Sequence, residues 1–236
     1  MFSPQLADYD GDGRPDLIAG SDCCQDGCFY VFRRLKDGGF APRQQVKPVF
    51  PPEQFNPHQF RPDVLQSRLA VADLNGDGKP DVLIGANDRR TLGVVYGPLA
   101  GKDELTVQRM WPEGQEPFGR RAQSGFYKAM STNPVLADWD RDGLPDLILG
   151  VREWGKDDWH SRGVYWCRNV GTQRGPKFGP SQLLVADQDG TQTTGICVAD
   201  WNGDGRPDLI ASRFESKEAG ARRWHQKVWV YLRRGG

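Results

Sequence analysis

The chain has 236 residues, 37% of them hydrophobic, with 29 Gly and 17 Pro. That length suits one large all-β domain or two small ones, and so low an apolar share favours an array of small interfaces over one central core. Basic and acidic residues balance at 31 each, and no apolar run approaches the about 18 residues of a membrane-crossing helix.

Met1 leads almost directly into Asp8–Leu17 (Asp-Tyr-Asp-Gly-Asp-Gly-Arg-Pro-Asp-Leu). Neither a basic stretch nor an apolar one precedes it, so a secretion signal, if used, lies outside this chain. The same ten-residue pattern returns at Asp73–Val82, Asp138–Leu147 and Asp200–Leu209, with starts 65, 65 and 62 residues apart. A short apolar run enters each copy: Pro4–Ala7, Arg68–Ala72, Pro134–Ala137 and Gly195–Ala199. Another leaves it: Asp16–Gly20, Asp81–Gly85, Asp146–Gly150 and Asp208–Ala211. Runs this short, bounded by Gly and Pro, read as buried strands. A third strand with aromatic alternation follows at Cys28–Phe32, Gly93–Tyr96, Gly163–Trp166 and Lys227–Tyr231. A more polar fourth closes three repeats, at Gly39–Val46, Glu104–Met110 and Lys177–Leu184.

Polarity that rises from first to fourth strand describes a sheet with a buried inner strand and an exposed outer edge. Four such sheets at a period near 60 residues predict an all-β fold, a β-propeller of four-stranded antiparallel blades. The blades are expected at about 1–47, 66–112, 133–186 and 194–236 of a single domain. The last repeat stops at Arg233–Gly236, where a fourth strand is due. The four repeats thus read as a fragment of a larger propeller, or as an open or minimal four-blade ring; the fragment is favoured. The Pro-rich segment 47–66 and segment 111–133 read as insertions over one face.

Within each loop, alternate carboxylates at positions 1, 3 and 5 converge on one point, and Gly at position 6 permits the turn. Position 7 offers its backbone carbonyl, and the following Pro holds it extended. Position 9 supplies the last carboxylate. These roles fall on Asp8, Asp10, Asp12, Arg14 and Asp16; on Asp73, Asn75, Asp77, Lys79 and Asp81; on Asp138, Asp140, Asp142, Leu144 and Asp146; and on Asp200, Asn202, Asp204, Arg206 and Asp208. Hard oxygen donors in a flexible loop suit Ca²⁺. Loops one and three, with four carboxylates each, are expected to bind more tightly than the two with Asn. Position 12, where an EF-hand loop carries a bidentate Glu, is Ala19, Ile84, Leu149 or Ala211. These are strand–loop–strand sites, and four copies in register argue against metal-free Asp/Gly turns.

The pattern D-x-[DN]-x-D-G-x-P-D-[LV] resembles the calcium loop of FG-GAP/VCBS repeats, the blades of the integrin α-subunit propeller and of many bacterial surface and secreted proteins. Val94–Gly101 is similar to the FG-GAP segment itself, and Arg168–Thr172 with Gly175–Phe178 looks like the turn after the third strand of VCBS repeats. The resemblance implies a Ca²⁺-stabilised propeller used for binding, adhesion-like, secreted or at the cell surface. It leaves the ligand open, protein or carbohydrate.

The four loops hold fourteen Asp, which leaves 17 acidic against 31 basic residues elsewhere, a surplus of 14 positive charges. One divalent ion per loop would take the whole chain to +8. Solubility accounts for such a surplus; so does an anionic partner such as an acidic polysaccharide. No nucleic-acid partner and no membrane span is expected. Of five cysteines, Cys28 with Cys23 or Cys24 suggests a small loop disulfide, against the alternative of buried thiols.

The strand two–three loops and the blade connectors share the face opposite the Asp loops. There Arg152, Trp154, Trp159, His160, Arg222 and Trp224 form the expected ligand cluster, since Trp beside Arg and His suits sugar stacking or a protein hot spot. The alternative is Trp that packs insertions onto blades. His58, His160 and His225 sit in no recognisable catalytic motif, so the chain is expected to be noncatalytic. The competing reading is a lyase on acidic glycans with His160 as base.

Overall fold

The structure, a computed structural model, describes residues 4–20, 28–53, 68–85, 92–102, 104–111, 128–154, 159–187, 191–216 and 224–233. Every predicted strand pair forms, and all pairing within the sheets is antiparallel. The first sheet is β1 (Pro4–Ala7), β2 (Asp16–Gly20), β3 (Phe29–Phe32) and β4 (Gln44–Val46), in that order. The second is β5 (Arg68–Ala72), β6 (Asp81–Gly85), β7 (Leu92–Val95) and β8 (Gln108–Arg109). The third is β9 (Lys128–Ala137), β10 (Asp146–Trp154), β11 (Trp159–Asn169) and β12 (Phe178–Ala186). The fourth, β13 (Thr191–Ala199), β14 (Asp208–Ser216) and β15 (Trp224–Tyr231), has three strands among the described residues. These are propeller blades, with no helix among the described residues.

The chain divides into two compact units. One holds residues 1–116 and 171–176, with the first two sheets; the other holds 117–170 and 177–236, with the last two. In the first unit, Ile18, Phe29 and Val31 of one sheet and Leu69, Val82 and Val95 of the next form one core. In the second, Ile148 and Val164 meet Leu209, with Ile196, Val198 and Tyr231 packed against them. Each core lies between the faces of two sheets, as alternating strands dictate.

Strands in the second unit overrun the apolar runs that predict them. β10 and β11 form a long hairpin in which Trp154 pairs with Trp159 and Glu153 with His160; β14 and β15 form another, in which Ser216 pairs with Trp224. Arg152, Trp154, Trp159, His160 and Trp224 therefore lie on strand backbone, which corrects the expectation of irregular loops. Polar residues there hide a strand from an apolar-run reading, yet the ladder continues because backbone pairing needs no apolar side chain. Arg222 lies outside the described residues.

Ile148 is fully buried at the centre of the second unit's core. Ile148→Ala removes three buried side-chain carbons and leaves a cavity, so it should lower unfolding free energy by about 2–5 kcal/mol, read from denaturant melts followed by tryptophan fluorescence.

Candidate metal centres

The four Asp loops close in the same way. The position 1 carboxylate accepts two backbone N–H bonds from across the turn. Asp8 takes them from Asp12 N (3.0 Å) and Gly13 N (2.8 Å), and Asp200 from Asp204 N (3.0 Å) and Gly205 N (2.8 Å). Asp138 repeats the arrangement, and Asp73 adds a third bond, from Gly76 N at 2.7 Å. The position 5 carboxylate accepts the N–H of position 7: Arg14 N to Asp12 at 2.9 Å, Lys79 N to Asp77 at 2.9 Å, Leu144 N to Asp142 at 3.0 Å and Arg206 N to Asp204 at 2.9 Å. Position 4 takes the left-handed conformation, φ 76° at Gly11, 69° at Gly76 and 74° at Gly203. In loop three it is Arg141 at φ 68°, which carries backbone strain that Gly would not.

Position 9 does more than end the loop. Asp16, Asp81, Asp146 and Asp208 are all fully buried. One oxygen of each accepts the N–H of position 2, from Tyr9 (3.0 Å), Leu74 (2.8 Å), Trp139 (3.1 Å) or Trp201 (3.1 Å). The other accepts an N–H at or just beyond the end of the third strand, from Arg34 (2.6 Å), Gly97 (2.8 Å), Asn169 (2.7 Å) or Arg233 (2.8 Å). Three strands are thus tied at one carboxylate. Sequence reasoning treats position 9 as a ligand alone, because the partners are backbone groups and leave no side-chain signature.

Carboxylate oxygens of Asp8, Asp10 and Asp16 lie within 4.8 Å of one another, as do those of Asp138, Asp140 and Asp146. Asp10 Oδ1 is buried without a hydrogen-bond partner. Burial, then Asp16 and Asp12, hold the Asp10 carboxyl above the usual range; burial raises Asp81 and Asp146 as well. Clustered anions with an orphaned oxygen fit a divalent cation, whose charge offsets both desolvation and repulsion.

Asp12 and Asp142 stand outside these trios. Asp12 pairs with the guanidinium of Arg14. Asp142 pairs with Arg168 at 3.0 Å, and the same Arg168 reaches Asp140 at 2.6 Å. A backbone N–H from Leu144 and then Arg168 hold Asp142 below the usual carboxylate range. In loop four the Asn202 amide donates to Asp204 at 2.9 Å, and this bond first lowers the Asp204 carboxyl, with Arg206 adding to it at 2.7 Å. Loops two and four bring Asn75 and Asn202 inward, each accepting the N–H two residues on at 3.0 Å.

Residues 8–84 and 138–211, more than half the chain, match the FG-GAP-like repeat family. The chain belongs to that family. The FG-GAP chain is similar to integrin alpha-8 of Mus musculus, at 32% identity over 90% of this chain and 19% of the relative. It is also similar to integrin alpha-PS2 of Drosophila melanogaster, at 29% identity over 64% of this chain and 11% of the relative. Phosphatidylinositol-glycan-specific phospholipase D of Rattus norvegicus matches at 28% identity over 61% of this chain and 18% of the enzyme. The FG-GAP chain thus spans a fifth or less of each relative. A lectin of Agrocybe aegerita aligns over 96% of this chain and 51% of its own, at 22% identity and a TM-score of 0.46, a likeness that carries no functional information.

At the far end of the fourth sheet lies a polar knot absent from the sequence reading. Arg213 and Asp187 form a buried pair at 3.1 Å, and Thr193 Oγ1 donates to Asp187 at 2.7 Å. The Arg213 guanidinium also lies 5.5 Å over the Tyr231 ring. Asp187 follows β12, so the knot fastens the third sheet to the fourth at the end away from the Asp loops.

The two loop roles separate by substitution. Asp81→Asn puts an amide NH₂ against one of two N–H donors, and should cost about 2–4 kcal/mol in denaturant melts even in chelator. Asp77→Asn keeps an acceptor for Lys79 N, and under the same conditions should cost less than about 1 kcal/mol.

Proposed function

We propose that this FG-GAP chain is a noncatalytic, Ca²⁺-stabilised binding module, secreted or at the cell surface, for a protein or carbohydrate ligand. The observation that carries the metal part is the repeated carboxylate trio with its orphaned Asp10 oxygen. Positions 1, 3 and 9 of loops one and three would hold the ion, with position 5 and the position 7 carbonyl to complete the shell. Bound Ca²⁺ would supply positive charge at the point where the carboxylates crowd. Position 1 is already held by backbone N–H groups, so little side-chain freedom is lost on binding. A disulfide at Cys28, whose partner lies outside the described residues, fits an oxidising compartment.

Support for the binding part comes from the two long hairpins opposite the Asp loops, which carry Arg152, Trp154, Trp159, His160 and Trp224 on paired backbone. A rigid ladder is a better platform for recognition than a loop, because less order is lost on binding. The positive surplus outside the Asp loops favours an anionic ligand.

Calcium at ten times its Kd should add about 1.4 kcal/mol per occupied site. Thermal melts with Ca²⁺ and with EGTA test this, and equal melting temperatures would sink the calcium reading. Asp10→Asn should be neutral or stabilising in EGTA, where it relieves crowded charge, and should remove the calcium shift of loop one. For the ligand, immobilised acidic polysaccharides should retain the protein, and Trp154→Ala, Trp159→Ala and Trp224→Ala should each weaken retention by tenfold or more. Unchanged retention in all three would move the site elsewhere, and release of unsaturated uronic ends would restore the lyase reading.

A further inference from the structure

Loops one and three carry the same set of carboxylates, yet their position 3 residues are in different states. Asp10 keeps a buried Oδ1 without a hydrogen-bond partner, and the Arg33 guanidinium stands off its Oδ2 at 3.9 Å. Asp140 has both oxygens engaged: Oδ1 accepts the Asp142 N–H at 3.3 Å, and Oδ2 accepts Arg168 Nε at 2.6 Å. Nη2 of the same guanidinium donates to Asp142 Oδ2 at 3.0 Å, and Asp142 Oδ1 already accepts Leu144 N. One fork from outside the loop thus closes positions 3 and 5 together.

Arg33 and Arg168 hold the same place in their blades. Each immediately precedes the residue whose N–H reaches the buried position 9 Asp, Arg34 in the first sheet and Asn169 in the third. In the second and fourth sheets that place belongs to Tyr96 and Leu232, which carry no positive charge. The backbone presents the two arginines differently. Arg168 lies inside β11, and the residue after it is fixed by Asn169 N to Asp146, by Asn169 Nδ2 to Pro145 O at 3.2 Å and by Lys177 N to Asn169 Oδ1 at 3.1 Å. Arg33 lies past the end of β3. A guanidinium on an anchored strand has less freedom to lose than one beyond a strand end, so it keeps its carboxylates more readily.

We propose that this place, next to the anchor donor, sets how strongly a loop takes its cation, and that Arg168 is a built-in competitor that makes loop three a weaker site than loop one. The inference rests on the calcium reading above and assigns regulation within it. An ion at loop three reaches Asp140 and Asp142 only by sharing them with the guanidinium or displacing it, and positive charges brought that close repel. An ion at loop one meets an oxygen that nothing else holds. Arg14 on Asp12 does not offset this, because position 5 of loop three is paired as well. The two loops would then respond to different ranges of calcium concentration.

Isothermal titration calorimetry of the whole chain with Ca²⁺ tests this on wild type, Arg168→Gln, Arg168→Lys and Arg33→Gln. Arg168→Gln should tighten one site by roughly tenfold, the effect of two partly exposed charge pairs. Arg168→Lys keeps the charge without the fork and should tighten it by less. Arg33→Gln should shift no site by more than about twofold. Terbium in place of calcium locates the site. Trp139 and Trp201 occupy position 2 of loops three and four, where loops one and two have Tyr9 and Leu74, so tryptophan-excited terbium emission should contain the tightened site. Arg168 is half exposed, so the variants should fold, which circular dichroism in EGTA checks. Identical calcium isotherms for wild type and Arg168→Gln overturn the proposal and leave the calcium reading standing; no calcium binding in either form overturns both. A lower melting temperature of Arg168→Gln in EGTA with unchanged affinity marks a purely structural arginine and overturns it too, as does a tightened site absent from the terbium emission.

Discussion

Each blade depends on one buried carboxylate. The position 9 Asp has no exposed surface, and it stays in an apolar core because both of its oxygens accept backbone N–H bonds. Burial of an unpaired carboxylate costs far more than a blade of this size can offset; with two charge-assisted bonds the balance reverses. Those bonds fix the loop to the inner strand on one side and to the end of the third strand on the other. The rest of the loop inherits its shape from this anchor.

Charge in the loop is graded from this point outward. Position 9 is satisfied by backbone. Position 1 is likewise capped, through Gly13 or its equivalents. Position 5 is partly answered by guanidinium groups in loops one, three and four. Position 3 of loop one is left with an oxygen that has no partner. A cation placed there meets carboxylates already oriented by bonds that owe nothing to the ion, so the loop is arranged before it binds. Arg168 complicates the third loop: it lies on Asp140 and Asp142 together, and a bound ion would share both with it. Four carboxylates in a loop therefore do not translate directly into affinity.

Much of this was legible in the sequence. The inner three strands of each sheet follow from apolar runs punctuated by four copies of Asp8–Leu17, because a short buried strand leaves a plain apolar signature, and the more polar fourth strands follow from their place in the repeat. Spacing in a tight turn picks out positions 1 and 3 of loops one and three, but the structure groups them with position 9 and leaves position 5, expected to converge with them, on a guanidinium. Three features did not show. The long hairpin through Trp154 and Trp159 escapes because polar strands lack an apolar pattern. The second duty of Asp16 and its equivalents escapes because backbone donors have no side-chain code. The pairs Arg168–Asp140 and Arg213–Asp187 escape because they join positions far apart in sequence.

The donors at the end of the third strand are Arg34, Gly97, Asn169 and Arg233, four positions held by three different residue types. The anchoring bond reads only the main chain there, although packing still selects the residue at two of the positions: a Cβ at Gly97 would meet Pro80 O at 2.8 Å, and the Asn169 side chain bonds Pro145 O and Lys177 N. The anchoring bonds of such a blade survive when it is copied within a gene and the donor residue changes type, as it does here among Arg, Gly and Asn. One Asp must be kept; its partners come with the polypeptide itself. A fold whose critical contact has a sequence requirement on one side alone is well suited to growth by repetition.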